Sequence, residues 1–216
     1  MAARREAGFS LIEVLVAVAV FAAVSAMATG MLAGALRSKA QGEATLEQLA
    51  AVQRTAALLR EDIGQLTLRS VRNEEGLTDP RLFAADIGGT QAVRRAGEGR
   101  EILVLTRTGW ANPGAVQPRS TLQRVAWVLE EDRLYREARA YPDAARAVQP
   151  RRQLLIEGVE AVRIDVLAAS VWINSARIAA NDEAPASPPD AVRLRYETAR
   201  FGVLEHIVLT PAAEAS

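Results

Sequence analysis

The chain has no cysteine and a single histidine among its 216 residues. Without cysteine there is no disulfide, no thiolate nucleophile and no cysteine-held metal, and redox usage says nothing about compartment. A zinc site would need an unusual set of carboxylates. His206 sits in an apolar, strand-like run, which points to a structural role. An excess of one charge is missing too, because 26 Lys and Arg stand against 26 Asp and Glu. No global field then draws the protein to nucleic acid. There is no Gly-x-Ser-x-Gly elbow, dinucleotide glycine fingerprint or phosphate loop; Gly97-Glu98-Gly99 lacks the third glycine and reads as a turn. Asn73-Glu74-Glu75 and Asn181-Asp182-Glu183 lack the glycine-punctuated spacing of a calcium loop and read as solvated loops. Neither catalysis, nor a metal, nor a bound cofactor is expected.

What the chain does have is a long hydrophobic run. The 23 residues 14–36 carry no charge, and about 20 suffice to cross a hydrocarbon core of roughly 30 Å. Glu13 stands at the head of this run, where a carboxylate costs on the order of 3 kcal/mol by insertion scales and marks a functional-site candidate. Met1 to Gly8 is short and basic at Arg4 and Arg5, the form of a targeting leader. Ala26-Met27-Ala28 also offers an ordinary secretory cleavage site with Val14 to Val24 as its apolar region, which would release a soluble protein. Glu13 speaks against that, since such a region gains nothing from a carboxylate near its start. Arg4 and Arg5 before the span and Arg37 and Lys39 after it leave orientation undecided by charge.

Gly8-Phe9-Ser10-Leu11-Ile12-Glu13-Val14-Leu15-Val16-Ala17 resembles the class III signal of type IV pilins and type II secretion pseudopilins. The resemblance implies that a prepilin peptidase cuts after Gly8 on the cytoplasmic side and methylates Phe9 as the new N-terminus, while the apolar helix stays in the inner membrane lipid. It implies further that Glu13, fifth in the mature chain, faces the N-terminal amine of a neighbouring subunit during assembly. An opposite charge nearby in low dielectric is the usual way a membrane carboxylate stays ionised.

Beyond the membrane segment Leu46, Leu49, Val52, Ala56, Leu59, Ile63 and Leu66 recur at spacings of three and four, with Arg37, Lys39, Glu43, Glu47, Arg54, Arg60 and Glu61 off the stripe. That pattern is an amphipathic helix, so one long helix is expected over Phe9 to Leu66. Gly30 and Gly34 form a GxxxG pair, a weak signal for close helix approach. Asn73 to Gly99 is polar and glycine-rich and reads as loop with short irregular elements. Strand signals follow at Glu101 to Arg107. Thr121 to Leu129 and Arg133 to Arg139 are joined as a hairpin. Alternation continues around Val162 to Val166 and Val192 to Tyr196, and Val203 to Leu209 closes a hairpin through Arg200-Phe201-Gly202. Asn174 to Asp190, with Pro185, Pro188 and Pro189, reads as a long surface loop. The expected architecture is α+β, a long N-terminal helix packed on an antiparallel sheet. Its divisions are a leader 1–8, an assembly half 9–36, an amphipathic half 37–66, a β-rich domain 67–211 and a tail 212–216.

Trp110-Ala111-Asn112-Pro113, Arg119-Ser120-Thr121-Leu122-Gln123-Arg124-Val125-Ala126-Trp127 and Glu157-Gly158-Val159-Glu160-Ala161-Val162-Arg163 resemble the minor pseudopilin J family of the type II secretion system. Trp110 and Trp127 also read simply as core residues, and Asn112-Pro113-Gly114 as a turn. The resemblance implies a complex with minor pseudopilins I and K at the tip of the pseudopilus, contact with other pseudopilus subunits, and initiation of the fibre that drives folded proteins across the outer membrane. A minor pilin of a type IV pilus, and a secreted or periplasmic domain freed by ordinary signal cleavage, are the competing readings.

Overall fold

A computed structural model describes residues 9–73, 75–85, 99–109, 120–143, 148–180 and 187–211. The helix α1 runs Leu11–Gly64. Its start is set by Ser10, whose carbonyl accepts from the amides of Glu13 (3.1 Å) and Val14 (3.3 Å) and whose hydroxyl accepts from Glu13 N (3.3 Å). Ser10 and Glu13 hold the N-cap and third positions of a capping-box sequence. At the other end the apolar series does not continue as helix to Leu66. Past Gly64 the chain becomes extended, and Leu66 opens the two-residue strand β1 (Leu66–Thr67), paired with Arg107.

The chain forms two compact units, Met1–Leu49 and Ala50–Ser216. The first is helical from Leu11 onward, and its apolar stretch is long enough to cross a membrane. Gly30 and Gly34 face open space there.

The second unit carries the β structure, all of it antiparallel. After β1 come β2 (Val71–Arg72), β3 (Thr78–Asp79), β4 (Arg81–Ala85), β5 (Arg100–Arg107), β6 (Gln123–Glu130), β7 (Arg133–Arg139) and β8 (Arg151–Glu157). These are followed by β9 (Val159–Ala168), β10 (Val171–Ile173), β11 (Ala176–Ala179), β12 (Ala191–Thr198) and β13 (Gly202–Leu209). The larger sheet has the order β11-β4-β5-β6-β7-β8 with β1 beside β5, the second is β10-β9-β12-β13, and β2 pairs β3. The expected hairpin between β6 and β7 forms in register, with Trp127 opposite Arg136 and Glu130 opposite Arg133.

One core joins the last turns of α1 to both sheets. Leu59 and Ile63 of the helix, Phe83, Leu103, Leu105 and Trp127 of the larger sheet, and Ile164, Val192, Leu194 and Tyr196 of the smaller one belong to a single buried cluster. Each such aliphatic or aromatic side chain contributes roughly 1.5–3 kcal/mol on leaving water. The residues that α1 buries are Val52, Thr55, Leu59, Asp62 and Ile63, so Val52, Leu59 and Ile63 of the expected stripe are buried and the polar Thr55 and Asp62 are buried beside them.

Three stretches differ from the sequence reading. The polar segment Asn73 to Gly99 contains a true strand, β4, whose Leu82, Phe83, Ala84 and Ala85 are all buried; a strand covered on both faces shows no alternation. The expected surface loop Asn174 to Asp190 contains β11, held against β4 with Ile178 opposite Phe83. β8 occupies 151–157, opening with the exposed pair Arg151 and Arg152, which hides an otherwise apolar run.

Candidate functional site

Two sets of residues stand out. At the N-terminus Gly8 lies outside the described residues. Phe9 is 84% exposed, and Glu13 is exposed in the first turn of α1. Phe9, Glu13, Ala17 and Phe21, at four-residue steps, lie along one side of the helix. The carboxylate of Glu13 has a local electrostatic reason to be there, since the first turn carries the positive end of the helix dipole. It makes no side-chain hydrogen bond or ion pair among the described residues.

The second set lies in the second unit and was not foreseen. Asp62, wholly buried near the end of α1, accepts hydrogen bonds from three side chains. Trp127 Nε1 donates to its Oδ2 at 2.9 Å, and Arg136 donates through Nε to Oδ2 at 2.8 Å and through Nη2 to Oδ1 at 2.6 Å. Arg107 Nη1 reaches Oδ1 at 3.2 Å, while its Nη2 holds the half-exposed Glu61 at 2.7 Å. The sheet sets this geometry: Trp127 of β6 and Arg136 of β7 are direct cross-strand partners whose side chains share the core face, and Arg107 sits where β1 pairs with β5. Arg136 forms the two-bond fork typical of a guanidinium on a carboxylate. A legible signal existed. Asp62 lies three residues beyond Leu59 on the apolar stripe, and Arg136 stands between Leu134 and Ala138 on the buried face of β7.

The other residues singled out take structural places. Trp127 is in the core, as one of its readings held, but with its indole nitrogen used; Trp110 and Asn112-Pro113-Gly114 lie outside the described residues. Glu157 is exposed and pairs with Arg133 at 3.4 Å. Asn73 Oδ1 accepts from the amides of Glu75 and Leu77, which makes it a turn residue between β2 and β3; Asn181-Asp182-Glu183 lie outside the described residues. His206 Nε2 is 3.1 Å from the Tyr196 hydroxyl. Burial, and then the charge of Arg60, hold the His206 imidazole below its ordinary value.

Comparison with known proteins decides between the pilin-like readings. The family model described as type II secretion system (T2SS), protein J, matches residues 30–210, and a prokaryotic N-terminal methylation motif matches residues 3–29. The chain belongs to the protein J family of the type II secretion system. It is a minor pseudopilin. Relatives include the type II secretion system protein J of Escherichia coli, 31% identical over 95% of this chain and 96% of its own length. That of Vibrio cholerae is 29% identical over 94% and 87%. Among solved structures, a chain from the GspK-GspI-GspJ complex of the enterotoxigenic Escherichia coli type 2 secretion system aligns with a TM-score of 0.59 and 28% identity, over 75% of this chain and 96% of that one. As a protein J chain, it uses its N-terminal helix as a membrane anchor, and the Asp62 cluster belongs to the β-rich unit that follows.

Proposed function

We propose that this protein J chain is processed after Gly8, methylated at Phe9 and held in the inner membrane by its helix, with the N-terminus cytoplasmic and the β-rich unit periplasmic. There it joins minor pseudopilins I and K in the complex at the pseudopilus tip and initiates assembly of the pseudopilus. The carrying observation is the methylation motif over residues 3–29 running directly into the protein J match over 30–210. A leader cut on the cytoplasmic face and an apolar helix that stays behind it account for this order. The crystallised complex of a relative with GspK and GspI supports the same partners for this chain.

In this reading Glu13 meets the amine of a neighbouring Phe9, a pairing that offsets the cost of a carboxylate at the membrane. The protein works as an assembly component, with no catalytic group, cofactor or nucleic acid in its role. The divisions 1–8, 9–36, 37–66, 67–211 and 212–216 are then leader, assembly helix, amphipathic helix, β domain and tail. Intact mass and N-terminal fragmentation of the membrane-extracted protein test it. A chain starting at methylated Phe9 that co-isolates with I and K supports the proposal; a soluble chain starting at Thr29 overturns it.

A further inference from the structure

The outward face of the larger sheet, opposite the Asp62 cluster, carries a half-open cleft of about 300 Å³. Its floor is Val104 and Ala126, cross-strand partners on β5 and β6, and Pro142 and Pro150 stand at its sides. Four arginines line it, and they differ in what they hold. Arg81 is fully engaged, clasping Asp79 through Nε and Nη2 at 3.0 Å each and Glu101 through Nη1 at 2.8 Å. Arg124 is engaged as well, with Nη2 on the Arg81 carbonyl at 2.7 Å and Asp79 Oδ2 at 3.2 Å and Nη1 on Thr106 Oγ1 at 3.2 Å. Burial draws the Arg124 guanidinium down to about 10 against the opposing pull of Asp79, and Arg81 adds to the fall. Four carboxylates, Glu75, Asp79, Glu101 and Glu137, line the cleft beside the four arginines, so what distinguishes the arginines is which of them those carboxylates engage.

Arg139 lies directly across the strand pair from Arg124, and like charges in that relation repel. The guanidinium groups of Arg139 and Arg72 have no hydrogen-bonding or ion-pair partner among the described residues. The carboxylates of the cleft do not answer them: Asp79 and Glu101 are taken by Arg81, and Glu137 faces Arg152 at 3.5 Å. Glu75, on the β2–β3 turn, accepts from Asn73 at 2.9 Å. Carboxylate recognition is already present at this rim, because Asp143 caps the backbone amide of Arg72 at 2.8 Å on the edge of β2 that β3 leaves open.

We propose that the cleft receives an acidic peptide segment of a protein partner, with a carboxylate between Arg72 and Arg139 and the neighbouring residues on Val104, Ala126 and the two prolines. A free inorganic anion fits less well, since the space is roughly ten times the 30 Å³ share of a water molecule and its floor is apolar. A guanidinium also suits a carboxylate, which it can hold through two parallel hydrogen bonds. The inference is independent of leader processing and of the membrane helix.

The test is titration of the full chain in detergent micelles with an end-blocked Ala-Glu-Glu-Ala peptide at low salt. Saturable binding is expected, weakened about tenfold by Arg72→Gln or by Arg139→Gln and lost with Ala-Gln-Gln-Ala. Arg133→Gln, on the same strand but paired outside the cleft, leaves it unchanged. No binding at millimolar peptide, equal binding of the glutamine peptide, or equal binding by both arginine variants would overturn the proposal. So would displacement of the peptide by an equal concentration of inorganic phosphate, which would reduce the cleft to a site for any anion.

Discussion

The indole nitrogen of Trp127 donates to Asp62 at 2.9 Å in the core, where neither side chain is exposed. This bond ties the last turns of α1 to the centre of the larger sheet, and the two arginines on the same carboxylate make it a junction rather than a single contact. Removing the carboxylate leaves the buried Arg136 guanidinium without its anion and Arg107 with Glu61 alone, a loss of about 3–5 kcal/mol for Asp62→Ala. Trp127→Phe keeps most of the packing and removes one donor, and is expected to cost about 1–3 kcal/mol. Chemical denaturation of each variant in micelles measures both, and a double variant less destabilised than the sum establishes the coupling. If Asp62→Ala loses under 1 kcal/mol, the junction contributes packing only.

A second expectation concerns acid. The His206 imidazole titrates at 6.5 when unperturbed and lower in the folded chain, because burial and then Arg60 disfavour its charged form. Between the folded value and 6.5 the unfolded chain binds more protons, so stability falls as pH drops from 6.5 and levels off below the folded value. Asp79 acts in a separate, lower window. Burial raises its carboxyl, but the hydrogen bonds from Arg81 outweigh that and hold it below 3.8, so its contribution is lost only as pH falls below 3.8. Melting temperature against pH should show the upper step in the native chain and not in His206→Gln, with the lower step kept in both. An unchanged upper step in His206→Gln would assign it to another group.

These two cases mark what could be read in advance. The β6–β7 hairpin was legible because β7 alternates buried Leu134, Arg136 and Ala138 with less buried neighbours, which is a direct consequence of one face meeting the core. β4 was not, because four successive buried residues carry no period and sit in a polar stretch. Asp62 was hidden in another way. It follows Arg60 and Glu61, so it looks like one more solvated helix charge despite its place three residues beyond Leu59, and the positions of Arg107 and Arg136, brought close by the sheet from 45 and 74 residues away, explain its burial. For the N-terminus the sequence motif carries more than the fold does, because the partners that would engage Phe9 and Glu13 are other chains.

The turn between β9 and β10 offers room for improvement. Ala168 pairs with Val171, and the two residues between them, Ala169 (φ 48°) and Ser170 (φ 64°), both adopt left-handed backbone. A two-residue hairpin of that kind favours Asn-Gly, and an alanine there pays a steric penalty of about 1 kcal/mol. The double variant Ala169→Asn, Ser170→Gly is expected to be more stable by about 1 kcal/mol, read from denaturation midpoints. A loss of stability would mean that the turn is held by contacts of the alanine and serine side chains.

The role of Glu13 can be separated from its place in the helix. Ser10 and Glu13 occupy capping-box positions, and glutamine serves in such a box as well as glutamate does. Glu13→Gln therefore keeps the helix start and the polar atoms but removes the charge. If a neighbour's N-terminal amine is the partner, the variant inserts in the membrane and is processed normally, yet co-isolates with the other pseudopilins at a level reduced about tenfold, the equivalent of about 1.4 kcal/mol. Glu13→Asp, which retains the charge at a shorter reach, should recover part of the loss. Native levels of co-isolation for Glu13→Gln would leave only the helix dipole as the reason for the residue, and the pairing with Phe9 would have to be abandoned.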